Sequence, residues 1–565
     1  MRAIEFINMF IFTIMSLNTR TRRLDITLAA SEQWDLLVIG GGITGAGIAL
    51  DAAVHGLKVL LLEKYDFAGG TSSRSTKLIH GGLRYLKQLE FGLVRTVGLE
   101  RAVLHRLAPH LVHPVDMLLP IVQGGTLSKR ATALALTVYD RLAGVEKEER
   151  FRMLDATEVL RIEPLLNPTG LIGGAIYKEY RTDDARLTMS VIKTAVDHGA
   201  SCFNYVKVES FHYHNGKITG AHTRDLIADT PIDFQATVII NAAGPWVDEV
   251  RGYETPPTSK YLHLTKGVHI VVSAHKLPVR KAMYFDVASD RRMIFVIPRD
   301  EIVYVGTTDT HYTGSKENVH TTYQDVQYLI DAVHAMFPEV SLQRADIIAS
   351  WAGLRPLIHA EGRSPSELSR KDEIFISAGG LISIAGGKLT GYRKMAEKAV
   401  RLAVKHLQHA RHIKITSSST RHIALHGAVQ GISLPKYMEQ RAGEARQAGL
   451  HYAQVRYLVH TYGTDTERII DLTFEHLQAI GDPDLALLYA ELIYGIEHEM
   501  VTGITDFFIR RTGRMYFDPA YVDKYYLQAA QYAAELLQQD AVTARHAIEW
   551  FEAARREMGI QDAEE

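Results

Sequence analysis

The 565-residue sequence contains a single cysteine, Cys202. One cysteine can form no intrachain disulfide, no CxxC redox pair and no cysteine cluster for zinc or iron–sulfur, and it fits a reducing cytoplasm. The 26 histidines show no HExxH or similar ligand spacing, so the sequence predicts no metal. The formal net charge of −2 implies no bulk electrostatic attraction, and we expect no nucleic-acid partner.

Long apolar runs are also absent. The most apolar stretch near the start, residues 4–15, is interrupted by Glu5 and Asn8 and is shorter than the roughly 20 residues that span a bilayer. Three arginines follow between residues 19 and 25, where a signal-peptide cleavage site would be expected. We therefore favour an upstream extension of the reading frame, with Met15 as the start, or a weak membrane-surface anchor, over secretion.

The most informative stretch begins with an apolar run over 36–39, which has the length of a buried parallel strand. Gly40, Gly42 and Gly45 follow at once in the spacing GxGxxG, and a helical pattern and a second apolar run lead to Glu63. In this dinucleotide-binding fingerprint the glycines allow a tight turn, the helix N-terminus receives the pyrophosphate, and the acid binds the ribose hydroxyls. An acid at this position favours FAD or NAD over NADP.

Residues 68–92 are predicted to form a loop that approaches a ligand closely rather than a packed element. The stretch is rich in small residues and in hydrogen-bond donors: Thr71, Ser72, Ser73, Ser75, Lys77, His80 and Arg84. We expect cofactor contacts from Thr71, Ser72, Ser73, Lys77 and the glycine pair Gly81 and Gly82.

Two later turns have a similar composition. A buried strand over 236–240 runs into a small-residue turn that contains Ala243 and Gly244, which suits a second backbone approach to the cofactor or a plain strand-to-helix connection. A glycine-prepared helix start follows at Gly387, Lys388, Leu389 and Thr390. In a flavoprotein, such a helix end stabilises the anion that develops at the pyrimidine side of the reduced ring.

The other regions indicate an α/β protein of several domains. Alternating β-branched segments over 260–310 predict an antiparallel sheet of a separate substrate domain, and residues 430–560 are almost wholly helical in period. Residues 183–187 have the pattern of a capped helix start, and residues 203–222 are predicted to form a hairpin around Asn215 and Gly216. We expect an N-terminal extension (1–33), a discontinuous Rossmann-type domain (34–110, 181–255 and 350–412), a cap domain (111–180 and 256–349) and a helical C-terminal domain (421–565).

One C-terminal segment, residues 507–511, mixes two phenylalanines with two arginines. It suits either a membrane-facing patch or a packed helix with solvated arginines, and we favour the packed helix.

Several blocks together resemble one family, the FAD-dependent glycerol-3-phosphate dehydrogenases, in particular the aerobic, respiratory type of bacteria. The blocks are GGGITGAGIALDAA at 40–53, TSSRSTKLIHGGLRYLKQ at 71–88, DDARL at 183–187, NAAGPWVD at 241–248, KGVHIVV at 266–272, GTTD at 306–309, GLRPL at 353–357 and AGGKLTGYRKMAE at 385–397. They cover the chain from about 34 to 400. The 71–88 block is far more specific than the Rossmann glycines.

The resemblance implies oxidation of sn-glycerol 3-phosphate to dihydroxyacetone phosphate. It implies hydride transfer from the substrate C2 to FAD N5, with the electrons passed to a membrane quinone. It further implies a cytoplasmic protein held peripherally at the inner face of the plasma membrane, and it admits a homodimer. The implied fold is an FAD-binding Rossmann-type domain with an antiparallel-sheet cap and an all-helical C-terminal domain.

The resemblance also assigns roles to individual residues. The family's substrate-site arginines fall on Arg84, Arg355 and Arg370, its tyrosine beside the first arginine on Tyr85, and its flavin-side lysine on Lys388. Planar guanidinium groups suit a phosphomonoester because they bind it bidentately.

Oxidation of an alcohol also needs a group that takes the hydroxyl proton. We name His80 as this base because it lies in the loop near the cofactor and titrates near neutrality, with His269 as second choice. Arg355 could instead stabilise an alkoxide electrostatically.

Three alternatives stay open at this point. A glycerol-3-phosphate oxidase would use the same substrate and O₂, and no residue pattern separates it from the dehydrogenase. An amino-acid or sarcosine-type oxidase would need a carboxylate clamp rather than several arginines. A flavin-bearing sensor without turnover is disfavoured by the intact Arg84, Arg355 and Lys388.

Overall fold

The computed structural model describes residues 16–81, 91–125, 128–145, 147–254, 260–287, 290–358, 372–408 and 419–561. These residues build two sheets and a mostly helical C-terminal region. No helix within these ranges is both long enough and apolar enough to cross a membrane.

The first sheet is mainly parallel, and it carries the predicted Rossmann strands at its centre. In spatial order its strands are Glu373–Ile376, Ile382–Ala385, Thr230–Asn241, Gln33–Ile39, Val59–Leu62 and Ser201–Phe203. The predicted hairpin around Asn215 and Gly216, made of Val206–His214 and Lys217–Asp225, pairs with the first half of Thr230–Asn241. The last five strands in this spatial order, beginning with Ile382–Ala385, pair in parallel with their neighbours, as their buried apolar runs predict.

Three helices cover this sheet: Ile43–Val54, Asp184–Asp197 and Tyr392–Gln408. Asp183 caps the second of them by accepting from the Arg186 N–H, as its sequence predicts. The first helix is rich in alanine and glycine and is therefore narrow. A Cβ at Gly47 would lie 2.6 Å from the ring of Tyr392, so the helices Ile43–Val54 and Tyr392–Gln408 are in close contact.

The second sheet is mainly antiparallel and confirms the predicted cap architecture. In spatial order its strands are Thr310–His311, Leu262–Ser273, Ile302–Gly306, Met293–Arg299, Ala282–Asp286, His113–Val122, Leu171–Arg181 and Leu78–Ile79, with Ile347–Ile358 beside Leu262–Ser273 and Arg152–Leu154 beside Leu171–Arg181. Its alternating residues enter two cores: Ile270 and Val272 pack towards the helix Tyr323–Met336, and Val271 packs towards the C-terminal helices.

The predicted domain boundaries differ from this arrangement at two places. The strand Ile347–Ile358 belongs to the second sheet, so the boundary expected at residue 350 falls inside a cap strand. Residues 16–33, expected to be an extension, are packed into the fold: the helix Arg22–Ala30 buries Arg22, whose Nη1 donates to both carboxylate oxygens of Asp225 at 3.0 Å.

Helices dominate the C-terminal region, as predicted. The longer ones are Leu434–Ala445, Tyr452–Tyr462, Thr466–Ile480, Pro483–His498, Pro519–Leu536 and Ala541–Glu557. Two shorter helices of this region are Ile504–Asp506 and Arg514–Phe517. The rest of the chain also contains the helices Phe91–Leu107, Lys129–Ala143, Ala156–Ile162 and Val247–Gly252.

The segment Phe507–Arg511 is a buried π-helical turn, so it is packed as favoured, but the predicted exposure of its arginines is wrong. Its phenylalanines lie in a core that the second sheet shares with the C-terminal helices, which excludes a membrane-facing patch. Its arginines are not solvated either. Arg510 and Arg511 donate to the buried carboxylate of Asp66, and their charges are therefore neutralised inside the protein.

Candidate active site

A cavity of about 640 Å³ lies where the carboxyl ends of the first sheet meet the second sheet. Ile39, Leu62, Ala242 and Gly386, at or just beyond the ends of four parallel strands, line one side. Tyr284, Phe295 and Arg355 from the second sheet, with Thr307 just beyond one of its strands, line the other. Ligands of open α/β sheets bind outside the carboxyl ends of the strands, so this cavity is where a dinucleotide is expected.

The glycine turn at the cavity is too tight for side chains. Gly40 has φ of +112°, and a Cβ there would lie 2.7 Å from the Ala242 carbonyl oxygen. A Cβ at Gly45 would lie 1.8 Å from the Gly40 carbonyl oxygen. The helix Ile43–Val54 begins directly after Gly42, and Ser72 Oγ accepts from its first N–H at 2.9 Å. The turn thus presents a helix N-terminus, with its partial positive charge, to the cavity.

We expect Gly45→Ala to lose most of its bound FAD, because the new Cβ forces the turn apart. The flavin absorbance of the purified protein, divided by its protein absorbance, measures this loss. Gly92→Ala is the matched control, since a Cβ there meets nothing within 4 Å in an exposed helical position. A Gly45→Ala protein with the full flavin complement would contradict the role given to the turn.

Glu63 lies on the cavity wall directly after the strand Val59–Leu62. Its carboxylate accepts from the Gly41 N–H at 2.6 Å and from the Tyr65 N–H at 2.8 Å. Burial raises the pKa of Glu63, and the two backbone bonds oppose this rise. The acid is therefore held beside the glycine turn, where its oxygens suit ribose hydroxyls.

A second glycine turn brings a helix start to the same cavity. Gly386 and Gly387 have φ of +79° and +82°, a conformation that favours glycine. Lys388 follows on the wall, and a short turn leads into the helix Tyr392–Gln408. Thr390 Oγ1 donates to the His80 carbonyl oxygen at 3.2 Å, which joins this turn to the predicted donor loop. His80 and Lys388 therefore line the same cavity, as do Thr71, Ser72, Ala243, Gly244, Leu389 and Thr390.

Arg355 projects from the strand Ile347–Ile358 into the cavity wall. Its guanidinium donates to Thr307 Oγ1 at 2.9 Å, to the Thr308 carbonyl oxygen at 3.1 Å and to Asp309 Oδ1 at 3.0 Å. A Cβ at Gly267, opposite Gly353 on the neighbouring strand, would lie 2.4 Å from Arg355 Nη2. The missing side chain at Gly267 makes room for the guanidinium.

His269, the second candidate base, is buried on the same wall. Its ring stacks on Trp351 at 4.8 Å, and its Nε2 lies 3.1 Å from Thr76 Oγ1. Burial lowers the pKa of His269 far below its usual value, and the charges of Arg355 and Lys77 add to the effect. The imidazole is neutral near pH 7 and is a weak base.

Four predicted cofactor residues do not line the cavity: Gly45, Ser73, Lys77 and Gly81. Gly45 faces the carbonyl of Gly40, and Ser73 is buried in the short turn that begins at Thr71. Gly81 faces Tyr139, because a Cβ there would lie 2.1 Å from the tyrosine hydroxyl.

Lys77 is buried away from the cavity. Its Nζ lies 2.5 Å from Asp184 Oδ1 and donates to the Ser73 carbonyl at 3.0 Å. Burial alone would lower the pKa of Lys77, but the charges of Asp184 and Asp183 raise it. The lysine therefore joins the donor loop to the helix Asp184–Asp197.

The remaining predicted site residues, Gly82, Arg84, Tyr85 and Arg370, lie outside the described residues.

Several residues that line the cavity were not predicted from the sequence. Val206–Val208, from the hairpin, line the cavity on the Glu63 side of the first sheet. Arg74 follows the predicted donors, and it packs against Gly353, where a Cβ would meet Arg74 Cβ at 2.8 Å. The sequence predicted strands in the hairpin and in the cap, but it did not indicate which strand ends would reach the cavity.

The fold and the site together fit FAD. A dinucleotide's pyrophosphate suits the helix start after Gly42, its ribose suits Glu63, and the flavin suits the turn at Gly387. These features define a flavin-dependent oxidoreductase with a separate cap sheet. Accordingly, residues 35–393 match the sequence model of the FAD dependent oxidoreductase family. Residues 418–544 match that of the C-terminal domain of alpha-glycerophosphate oxidase.

Full-length relatives narrow the class. The chain is 47% identical over 527 residues to the aerobic glycerol-3-phosphate dehydrogenase of Staphylococcus saprophyticus, which covers 93% of this chain and 94% of the relative. It is 46% identical to the protein of that name from Staphylococcus haemolyticus, at 93% and 94% coverage. The chain therefore belongs to the FAD-dependent aerobic glycerol-3-phosphate dehydrogenase family.

One solved structure agrees with this assignment, and a second shows the same fold. The glycerol-3-phosphate dehydrogenase from Bacillus halodurans, complexed with FAD, has a TM-score of 0.83 at 39% identity and covers 97% of this chain and 99% of its own. The L-alpha-glycerophosphate oxidase from Mycoplasma pneumoniae has a TM-score of 0.54 at 21% identity, with 66% and 95% coverage, and shares the fold.

Proposed function

We propose that this enzyme oxidises sn-glycerol 3-phosphate to dihydroxyacetone phosphate and passes the electrons to a membrane quinone. The observation that carries the proposal is that His80, Arg355 and Lys388 line one cavity, together with the turns that suit FAD. Bound FAD supplies the two-electron oxidising chemistry. The protein has to bind the phosphate, orient the secondary alcohol and accept its proton.

Phosphate binding is assigned to Arg355, and the resemblance adds Arg84, Arg370 and Tyr85. A phosphomonoester carries close to two negative charges, and guanidinium groups bind such anions through paired N–H donors. The bonds of Arg355 to Thr307, Thr308 and Asp309 hold its guanidinium plane in one orientation. A guanidinium held in this way loses little side-chain entropy when substrate binds.

Proton transfer is assigned to His80. Its backbone carbonyl is bound by Thr390 Oγ1, which keeps the loop residue close to Lys388 and Leu389 at the flavin-side turn. The neutral, weakly basic His269 is less suited, because its buried environment disfavours the protonated product of the transfer. Lys388 supplies a positive charge at the same end of the cavity.

An oxidase is the second candidate function, because the C-terminal region matches a domain named for alpha-glycerophosphate oxidase. The two candidates share the substrate and differ in the electron acceptor. The quinone proposal carries with it a peripheral location at the inner face of the plasma membrane. The proposed membrane location and a homodimer both rest on the resemblance to the family.

We expect anaerobic mixing with sn-glycerol 3-phosphate to bleach the flavin of the purified holoenzyme within the stopped-flow time range. Glycerol and amino acids should leave it oxidised, because they lack the phosphate that the arginines bind. If a soluble quinone analogue reoxidises the reduced enzyme fast and air reoxidises it slowly, the result supports the dehydrogenase. Fast reoxidation by air would favour the oxidase, and a flavin that stays oxidised with this substrate would refute both.

A further inference from the structure

Two histidines and one aspartate converge on the solvent face of the first sheet, outside the cavity. His212, His222 and Asp233 come from three consecutive antiparallel strands: Val206–His214, Lys217–Asp225 and Thr230–Asn241. Their sequence neighbours Phe211, Ala221 and Phe234 enter the core. Because side chains alternate along a strand, the three polar residues are brought together on the opposite face.

The distances within this cluster suit a divalent cation. One ligand atom from each residue lies within 4.8 Å of the other two. Asp233 Oδ1 lies 2.8 Å from His222 Nδ1 and 3.6 Å from His212 Nε2. Zinc bonds to nitrogen and carboxylate oxygen are about 2.0–2.2 Å, so the edge of a tetrahedral site is roughly 3.3 Å. The two observed separations bracket that length.

The imidazole of His212 is oriented as a metal ligand would be. Its Nε2 is buried and makes no hydrogen bond within the described part of the chain, although it points to the Asp233 carboxylate. A nitrogen in this position can give its lone pair to a cation that lies between it and the carboxylate.

The backbone around His212 supports this orientation. Gly220 pairs with His212 across the hairpin, and a Cβ at Gly220 would lie 2.9 Å from the imidazole Cδ2. The absence of a side chain lets the ring lean towards His222, and the ring centroids are 3.7 Å apart. The register shift next to His212 is a bulge, a feature that re-aims side chains.

We propose that His212, His222 and Asp233 form a binding site for one zinc-type divalent cation. His212 Nε2, His222 Nδ1 and Asp233 Oδ1 supply three ligands, and water completes the coordination because the site is open to solvent. On binding, His222 stays a neutral imidazole: its Nδ1 gives its lone pair to the metal, and the single ring proton sits on the solvent-facing Nε2. Two imidazoles and one carboxylate favour Zn²⁺, Co²⁺, Ni²⁺ or Cu²⁺ over Mg²⁺ and Ca²⁺.

Such an ion would join three strands that are otherwise joined by their backbone hydrogen bonds. The first strand of the hairpin begins at Val206, on the wall of the FAD cavity, and ends at the proposed site. The metal therefore acts on the stability of the hairpin without contacting the cavity. The residues were not found from the sequence because spacings of ten and eleven residues match no ligand motif.

The test uses the full-length holoenzyme without an affinity tag, treated with a chelator that is then removed. Titration with ZnCl₂ by calorimetry should give one site per chain, and CoCl₂ should give the visible absorption of a low-symmetry, nitrogen-liganded Co²⁺ site. His212→Ala and Asp233→Asn should each weaken Zn²⁺ binding by at least about tenfold. Zn²⁺ should also raise the Tm of the wild type but not of the variants.

His311→Gln is the matched control. His311 and His263 form another stacked histidine pair near the surface, but among the described residues they belong to no three-ligand cluster. This variant should bind Zn²⁺ as the wild type does, and all variants should keep their flavin spectrum. Equal Zn²⁺ affinity in the wild type and in a His212→Ala, Asp233→Asn double variant would overturn the proposal, as would the absence of any one-site binding in the wild type.

Discussion

Arg355→Ala is expected to lower kcat/KM for sn-glycerol 3-phosphate by roughly 10²–10³-fold while the enzyme keeps its FAD. This loss is the expected effect of removing the two charge-assisted hydrogen bonds that the guanidinium makes to the substrate phosphate. The side chain makes its bonds within the cap sheet, to Thr307, Thr308 and Asp309, and not with the glycine turn that suits the pyrophosphate. Steady-state kinetics together with flavin absorbance measure both parts of the prediction.

Two further variants sharpen this test. Arg355→Lys retains a positive charge but loses the planar pair of donors, so we expect it to recover only part of the activity. Arg456→Ala is the control: Arg456 pairs with Asp300 at 2.7 Å on the surface, and its removal should leave kcat/KM unchanged. Wild-type kinetics in Arg355→Ala would rule out its role in substrate binding. Loss of FAD would mean that the residue supports the fold instead.

Asp66→Ala is expected to lower the free energy of unfolding by about 3–5 kcal/mol, because it leaves buried guanidinium groups without their partner. The Asp66 carboxylate is fully buried. It accepts from Arg510 Nε at 2.5 Å, from both terminal nitrogens of Arg511 at 2.8 Å and from Asn204 Nδ2 at 3.0 Å. Chemical denaturation followed by far-UV circular dichroism and by flavin release measures the change.

The acid stability of the wild type provides a second measurement of the same network. Burial alone would raise the pKa of Asp66, but the charges of Arg511 and Arg510 lower it to about 2. A folded-state pKa below the unfolded value of 3.8 stabilises the protein above pH 4. That contribution is lost as the pH falls from about 4 towards 2.

Asp523→Ala is the control for this network, since its partner Arg555 forms an exposed surface pair. We expect little change in its stability, because exposed ion pairs contribute little. If Asp66→Ala were as stable as Asp523→Ala, the buried network would not hold the C-terminal region to the rest of the chain.

Features with a local signal were predicted from the sequence. The period of the apolar residues and the glycine spacing predicted a strand over 36–39, the helix after it and the acid Glu63. All three are present, and the strand extends over Gln33–Ile39. The Asn215–Gly216 turn predicted its hairpin for the same reason. Each of these patterns depends only on residues that are close together in the chain, so the sequence alone is enough to recognise it.

Features that depend on distant partners were not predicted. Lys77 was expected at the cofactor but pairs with Asp184, 107 residues later. Arg510 and Arg511 were expected in solvent but pair with Asp66, more than 440 residues earlier. Nothing in the local pattern of charges distinguishes a solvated arginine from one whose carboxylate partner arrives from another part of the chain.

The contact between Gly47 and Tyr392 has a consequence for the cofactor site. The helices Ile43–Val54 and Tyr392–Gln408 touch there without room for one methyl group, so neither can slide or tilt freely against the other. Their two N-terminal ends consequently face the cavity at a distance that the helix pair keeps constant. A dinucleotide with its pyrophosphate at one helix end and its flavin at the other would contact both ends at once. The tight helix contact therefore keeps the two halves of the cofactor site in a fixed position relative to each other.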